Sequence, residues 1–241
     1  MTEAQEHHHP SKTAVVISGT IYGFIHHQAH RVMPMKQKLI AMLTLQDSLN
    51  RHINPAWVTA GYEWYRAIWV ECAELMDHYG WKWWKSQAHD KDQIRLELID
   101  IWHFGLSAEL VRHQGDIHEA AEQMLSELEQ NDTISPAGDF KQAVDQMASH
   151  ALIHHSLLLP VFLQLLGEMD TSFHDLHRIY VGKNVLNRFR QDNGYKDGSY
   201  RKLWQGREDN EHLADVMYSL DADAADFPQQ IEQALTARYN A

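Results

Sequence analysis

The chain has 241 residues, of which 44% are hydrophobic, and it is long enough to form one large globular domain or two small ones. Its formal net charge of −12 argues against general binding to nucleic acid or to anionic membranes, because phosphate groups attract basic surfaces. The single cysteine, Cys72, excludes an intrachain disulfide and a zinc site built from cysteines, and it fits a cytoplasmic location.

The first 33 residues are predicted to form an N-terminal extension. Its apolar run "TAVVISGTIYGFI" is interrupted by Gly, Ser and Thr and is followed by no small-residue cleavage site, so we do not expect a signal peptide. The run is also shorter than the roughly 20 apolar residues that a membrane span needs. We predict a short strand or an ordered extension here.

Histidine is abundant, with eighteen residues that include "HHH" at 7–9 and His-x-x-x-His spacings at His26/His30 and His150/His154. A zinc site therefore has to be considered. Because the chain has no HExxH sequence and no cysteine near these positions, packing and surface roles are favoured over zinc.

Residues 34–241 are predicted to form a single all-α domain, since only twelve Gly and six Pro interrupt the helical periodicity of the apolar residues. The predicted helices cover 34–53, 61–79, 90–113, 117–130, a long region after 139 that is kinked at Pro160, 172–191, and two short C-terminal segments. The sequence "NDTISPAGD" at 131–139 is the clearest predicted loop, and a second loop leads to Asn210.

Two pairs of carboxylates lie in helices that are predicted to be buried. Glu71 and Glu74 are three residues apart, and after 22 intervening residues Glu97 and Asp100 repeat the spacing. The helix around the second pair is apolar on all sides, which is typical of a core helix. Pairing with Lys or Arg is one interpretation, and a divalent cation is the other. We favour the cation, and all-oxygen ligation then indicates magnesium, with room for two or more ions.

Basic residues are concentrated between Arg178 and Arg207, where eight Lys or Arg accompany two Asp in an otherwise acidic chain. Lys183, Asn187 and Arg190 form one polar stripe on the predicted helix. The stripe is either a solvated face or, beside a carboxylate-metal site, a clamp for phosphate groups.

Gln46 and Asn50 lie on the apolar stripe of the first predicted helix, where an amide is costly unless it is hydrogen-bonded. Both can donate and accept, so a pyrimidine edge is a suitable partner; an amide pair satisfied by nearby helix ends is the alternative. Trp57 is suited either to stacking on a base or to a core or dimer contact.

Together these segments resemble the dimeric all-α dUTP diphosphatases (dUTPases), which are related to the MazG-type nucleotide pyrophosphohydrolases. The segments that carry the resemblance are "LQDSLN" (45–50), "ECAEL", "WKWWK", "ELIDIWHF", "YVGKNVLNRFRQDNGYKDGSY" and "WQGREDN". They follow the family's order from Gln46 to Asn210. The four acids are shared with the wider superfamily, whereas the block around Lys183 to Tyr200 makes the resemblance narrow.

The resemblance implies a multi-helix bundle that forms a homodimer and hydrolyses dUTP to dUMP and pyrophosphate by a water activated by Mg²⁺. It leaves dUDP open as a second substrate. It implies metal ligation by Glu71, Glu74, Glu97 and Asp100, with Glu71 or Glu74 accepting the proton of the water. It implies a base pocket of Gln46, Asn50 and Trp57, and phosphate binding by Lys82, Lys85, Lys183, Asn187, Arg190, Tyr195 and Lys202.

Substrate preference stays open at the level of sequence, because an amide suits uracil or cytosine according to how it is turned. A dCTP-accepting enzyme, a broader MazG-like pyrophosphohydrolase and an inactive nucleotide-sensing module are the alternatives. The presence of all four acids disfavours the inactive module.

Overall fold

A computed structural model describes residues 32–130 and 138–241. The predicted short strand or ordered extension lies outside the described residues, as does most of the predicted loop at 131–139. The prediction of an all-α fold is confirmed: helices dominate both described ranges, and the strands there are limited to one small hairpin.

The elements follow the order predicted from the sequence, with small changes at their ends. They are α1 (Val32–Ile53), a 3-10 turn (Trp57–Thr59), α2 (Trp64–Tyr79), α3 (Lys91–Arg112), α4 (Ile117–Gln130), α5 (Phe140–His154), α6 (Leu159–Glu168), α7 (Phe173–Asp192), β1 (Leu203–Trp204), β2 (Arg207–Glu208), α8 (Asp209–Ser219) and α9 (Phe227–Tyr239).

Local sequence explains where the helices around the site begin and end. Gly80 stops α2 with a φ of 92°, a backbone conformation that residues with a side chain rarely adopt. The carboxylate of Asp90 accepts a hydrogen bond from the backbone N–H of Gln93 and so caps the start of α3. Ser172 and Asp175 form a reciprocal capping box at the start of α7.

The prediction of a kink at Pro160 is wrong, because the region consists of two separate helices. α5 ends at His154, and His155 adopts a left-handed conformation with a φ of 55°. α6 then begins at Leu159 with Pro160 in its first turn. Proline has no backbone N–H to donate, and the first turn of a helix is where that donor is not needed.

The predicted loop before Asn210 contains a short hairpin that the sequence did not indicate. Trp204 and Arg207 pair across an antiparallel two-residue connection, and Gln205 and Gly206 both have positive φ values, 51° and 80°. Two positive φ values in succession are typical of the tight turn that matches the twist of paired strands.

α3 is the central helix of the core, as its apolar sequence predicted. Its buried side chains include Ile94, Leu98, Ile101, Trp102 and Leu106, each fully enclosed. α2 packs along α3 on one side, and α1, α6 and α7 surround the remainder. None of the described helices is both long and apolar enough to cross a bilayer.

Gly182 provides a test of the packing between α7 and α8. A Cβ atom at this position would lie 2.0 Å from the Sδ atom of Met217. We expect Gly182→Ala to lower the free energy of unfolding by about 1 kcal/mol, measured by urea denaturation, because the displacement of the Met217 side chain outweighs the gain in helix propensity. Gly167 in α6 is the matched control, since a Cβ there meets nothing within 4 Å, and Gly167→Ala is expected to stabilise by up to about 1 kcal/mol. Equal effects at the two positions would contradict this account.

Candidate functional site

Three of the four predicted metal ligands meet where α2 packs on α3. Glu71 of α2 and Glu97 and Asp100 of α3 each offer a carboxylate oxygen, and these oxygens all lie within 4.8 Å of one another. Glu97 is only 8% exposed. We call these three residues the acidic cluster.

The carboxylates of the acidic cluster repel one another in a partly dehydrated site. Burial raises the pKa of Glu71 to about 8, and its hydrogen bond with Glu97 and the charges of the neighbouring carboxylates act in the same direction. Burial also raises the pKa of Glu97, although the hydrogen bond from Glu71 opposes it. Without a cation, a proton shared between these two side chains relieves part of the repulsion.

The donor set fits a hard divalent cation, because three carboxylates supply only oxygen ligands and a charge that such an ion neutralises. Two basic side chains also contact the cluster. Nζ of Lys183 lies 2.5 Å from Oδ2 of Asp100, and Nε2 of His78 lies 3.5 Å from Oε1 of Glu97. Sequence reasoning missed His78, although it follows Glu71 by seven residues and therefore shares its helix face.

Glu74, the fourth predicted ligand, is exposed one turn along α2 and is not part of the acidic cluster. Its negative charge nevertheless contributes to the raised pKa values of Glu71 and Glu97. Its role as a ligand or base stays a prediction.

Gln46 and Asn50 lie in a buried polar network between α1, α3 and α7. Nε2 of Gln46 donates to Oδ1 of Asn50 at 3.1 Å and to Oγ of Ser107 at 3.0 Å. Oε1 of Gln46 lies 2.8 Å from Nδ1 of His103 and 2.9 Å from the hydroxyl of Tyr180, whose single proton it shares with the backbone carbonyl of Met42, also at 2.9 Å. The amide is thus satisfied by side chains of α3 and α7 and not by helix ends.

Trp57 is buried, with 1% of its surface exposed. Its indole N–H donates to Oδ1 of Asp47 at 3.1 Å, and its ring meets Trp64 edge to face at 6.0 Å. The structure therefore places Trp57 in the core beside the polar network, with no open face for stacking. Its predicted part in base binding stays a prediction.

Arg190 and Asn187 are joined to a residue that sequence reasoning did not single out. The guanidinium of Arg190 makes two hydrogen bonds to the fully buried carboxylate of Asp209, at 2.8 and 2.9 Å, and contacts Oδ1 of Asn187 at 3.2 Å. Burial alone raises the pKa of Asp209, but hydrogen bonds from Arg190 and Tyr200 outweigh it and the pKa lies below the ordinary value. Asp209 does lie within the "WQGREDN" segment of the resemblance.

The other predicted phosphate-binding residues lie near the surface. Lys82 contacts Asp77 at 3.7 Å, Lys85 is exposed nearby, and Lys202 contacts Glu208 at 3.4 Å. Tyr195 is 56% exposed. Among the contacts described, Lys183 is the one of the seven predicted residues that touches the acidic cluster.

Clustered carboxylates inside a helical bundle, beside a basic helix, place the chain among all-α proteins with a candidate carboxylate site for a metal. A dUTPase family model matches residues 38–195, well over half of the chain. The chain therefore belongs to the dimeric all-α dUTPase family, and the resemblance found in the sequence is confirmed. No curated protein matches the chain significantly.

The acidic cluster predicts a pH dependence for magnesium binding. A cation that Glu71 ligates has to displace the proton this side chain holds below pH 8, so the apparent affinity should rise with pH up to about 8 and then level off. The slope should approach about tenfold per pH unit over the range in which Glu71 alone loses its proton. Magnesium titrations by calorimetry at several pH values would measure it.

Glu71→Gln should weaken magnesium binding and flatten its pH dependence, because the amide neither ligates strongly nor titrates. Glu232→Gln, an exposed position on α9, is the matched control and should behave like the wild type. An affinity of the wild type that does not change with pH below 8 would contradict the prediction.

Proposed function

We propose that this protein hydrolyses dUTP to dUMP and pyrophosphate with a magnesium-activated water. Membership of the dUTPase family supports the reaction type. The observation that carries the proposal is the acidic cluster, whose oxygens lie within 4.8 Å of one another and whose two glutamates both have raised pKa values. Neither feature stabilises a helical core, because buried carboxylates lower the stability of a fold unless an opposite charge neutralises them.

In this proposal Glu71, Glu97 and Asp100 hold two or more Mg²⁺ ions together with Glu74. When bound, Mg²⁺ supplies positive charge to the triphosphate and lowers the pKa of water. Glu71 or Glu74 accepts the proton of the attacking water. The exposure of Glu74 supports its candidacy, since it keeps the carboxylate in contact with solvent.

Phosphate groups would be held by the basic residues around the cluster. Lys183 has the strongest support, because its ammonium already contacts Asp100 and can turn from this carboxylate to a phosphate oxygen. Arg190 and Asn187 lie on the same helix, oriented by Asp209. The remaining proposed contacts come from Lys82, Lys85, Tyr195 and Lys202.

The base would be bound at the polar network, with Asn50 as the direct partner and with Gln46 and Trp57 behind it. Support comes from the placement of this network on α1 and α3, next to the acidic cluster along α3. Ser107 follows Asp100 by seven residues and therefore shares its helix face. A nucleotide whose phosphates lie at the cluster would extend towards Asn50.

The hydrolysis is tested by measuring pyrophosphate release from dUTP, dCTP, dTTP, dATP and UTP, with magnesium or with a chelator. We expect magnesium-dependent cleavage of dUTP. Glu74→Ala should abolish turnover while circular dichroism shows an unchanged fold, and Glu232→Ala should retain full activity as the matched control.

The alternatives give different outcomes in this assay. Cleavage of several nucleotides would indicate a broader pyrophosphohydrolase, and comparable cleavage of dCTP would indicate a dual-specificity enzyme. Binding of dUTP without cleavage would favour a nucleotide-sensing module. Normal activity of Glu74→Ala would remove this residue from the proposed site.

We also propose that the chain works as a homodimer in the cytoplasm. Large apolar side chains are exposed on α2 and α5, two helices that pack on each other: Trp69, Val70, Leu152 and Ile153 are 44%, 45%, 41% and 72% exposed. Stacking of Tyr65 on His155 shows that these residues lie at the same end of the helix pair. Exposed large apolar side chains on neighbouring helices are typical of protein interfaces.

Light scattering on the purified protein would test the dimer, and we expect about twice the mass of one chain. Ile153→Glu should produce monomers, because a charge buried in an apolar interface is strongly unfavourable. Glu232→Lys, a charge change at an exposed position on α9, is the control and should leave the dimer intact. A wild-type monomer would contradict the proposal.

A further inference from the structure

Ser107 fixes the direction of the hydrogen bonds that the amides of Gln46 and Asn50 make to it. Its hydroxyl lies 3.0 Å from the backbone carbonyl of His103, which can only accept, so the single hydroxyl proton is directed there. Oγ can therefore only accept from its other two neighbours. The amide atoms of Gln46 and Asn50 that face it, at 3.0 and 2.9 Å, have to be the NH₂ groups.

The orientation of Gln46 then determines the state of His103. With its NH₂ turned to Ser107 and Asn50, Gln46 presents Oε1 to Nδ1 of His103, and this nitrogen has to carry the proton. His103 is 5% exposed, and burial lowers its pKa to about 3, so it stays neutral with one N–H. Its Nε2 is then an acceptor, and it has no partner among the described residues.

Gln46 has little hydrogen-bonding capacity left. Its NH₂ group donates to Asn50 and Ser107, and its Oε1 faces Nδ1 of His103. Oε1 also shares the single hydroxyl proton of Tyr180 with the backbone carbonyl of Met42, which lies 2.9 Å from the same hydroxyl. Asn50 is different. One hydrogen of its NH₂ group goes to Ser107 and one lone pair of Oδ1 accepts from Gln46. One N–H and one lone pair of Asn50 remain without a partner in the described part of the chain, and their order in space is fixed.

We propose that Ser107 and His103 are positioning residues that lock the Asn50 amide in one orientation and thereby make the site discriminate uracil from cytosine. The inference rests on the proposed function, in which Asn50 contacts the base. Uracil offers a donor at N3 beside an acceptor at O4, whereas cytosine offers an acceptor at N3 beside a donor at N4. In one binding pose, a locked amide matches only one of these orders.

Removing the lock should relax this discrimination. In Ser107→Ala the NH₂ groups of Gln46 and Asn50 lose their shared acceptor. Only the hydrogen bond from Gln46 to its Oδ1 then opposes rotation of the Asn50 amide by a half turn. We expect the ratio of kcat/KM for dUTP to that for dCTP to fall by about tenfold or more, which corresponds to the loss of one oriented buried hydrogen bond.

Substitutions at His103 test the same lock from the opposite end. His103→Asn keeps an N–H near the position of Nδ1 and should preserve the ratio, whereas His103→Leu removes the donor and should lower it. Ser156→Ala is the matched control: Ser156 is another buried serine, with its hydroxyl 2.9 Å from Nε2 of His150 and outside this network. It should leave the ratio unchanged.

The ratio is informative because loss of folded enzyme lowers both kcat/KM values equally and leaves the ratio unchanged. The inference is overturned if Ser107→Ala and His103→Leu keep the preference of the wild type, or if the wild type cleaves dCTP as readily as dUTP; the proposed hydrolysis stands in both cases. If Ser107→Ala does not fold, the two His103 variants decide. A wild type that does not cleave dUTP overturns the proposed function itself.

Discussion

The packing of α2 against α3 brings carboxylates together in a region where they repel one another, and much of the structure responds to this constraint. Removing a carboxylate from water costs several kcal/mol, and proximity of like charges adds to that cost. Here the cost is offset by the apolar core that surrounds α3 and by partial neutralisation. Lys183 reaches Asp100, His78 approaches Glu97, and Glu71 keeps a proton. The clustered carboxylates therefore supply the negative charge and the oxygen ligands that fit a cation.

α3 links the acidic cluster to the polar network that we assign to the base. Asp100, His103 and Ser107 follow one another at intervals of three and four residues, so they lie near one face of the helix. A rise of about 1.5 Å per residue separates Asp100 from Ser107 by about 10 Å. This is the scale of a nucleotide measured from its phosphates to its base. In the proposed function, this one helix sets both the position of the phosphates and the identity of the base.

How much of this could be predicted from the sequence depends on the range of the interactions. The helices and the paired acids follow from the spacing of residues close together in the sequence. The structure has the predicted helices, and it brings Glu71, Glu97 and Asp100 together. The kink at Pro160 was wrong because the same residue suits a helix start, and only the left-handed His155 distinguishes the two.

Partners that come from distant segments could not be predicted. Gln46 finds acceptors and donors 57 to 134 positions away, in Ser107, His103 and Tyr180. No periodicity in α1 contains this information. The same holds for Trp57, whose burial depends on Trp64 and on the elements around it.

Residues beyond the family match also orient side chains of the candidate site. The dUTPase family model ends at residue 195, yet Arg190 within it depends on Asp209 outside it for two hydrogen bonds. Tyr200 donates to the same carboxylate at 2.8 Å and stacks on Tyr239 of α9 with ring centroids 5.7 Å apart. Asp209 is fully buried, so its negative charge has to be neutralised by Arg190. The same two hydrogen bonds hold the guanidinium of Arg190 in its orientation. The C-terminal helices therefore fix the geometry of α7, the helix that also carries Lys183 to the acidic cluster.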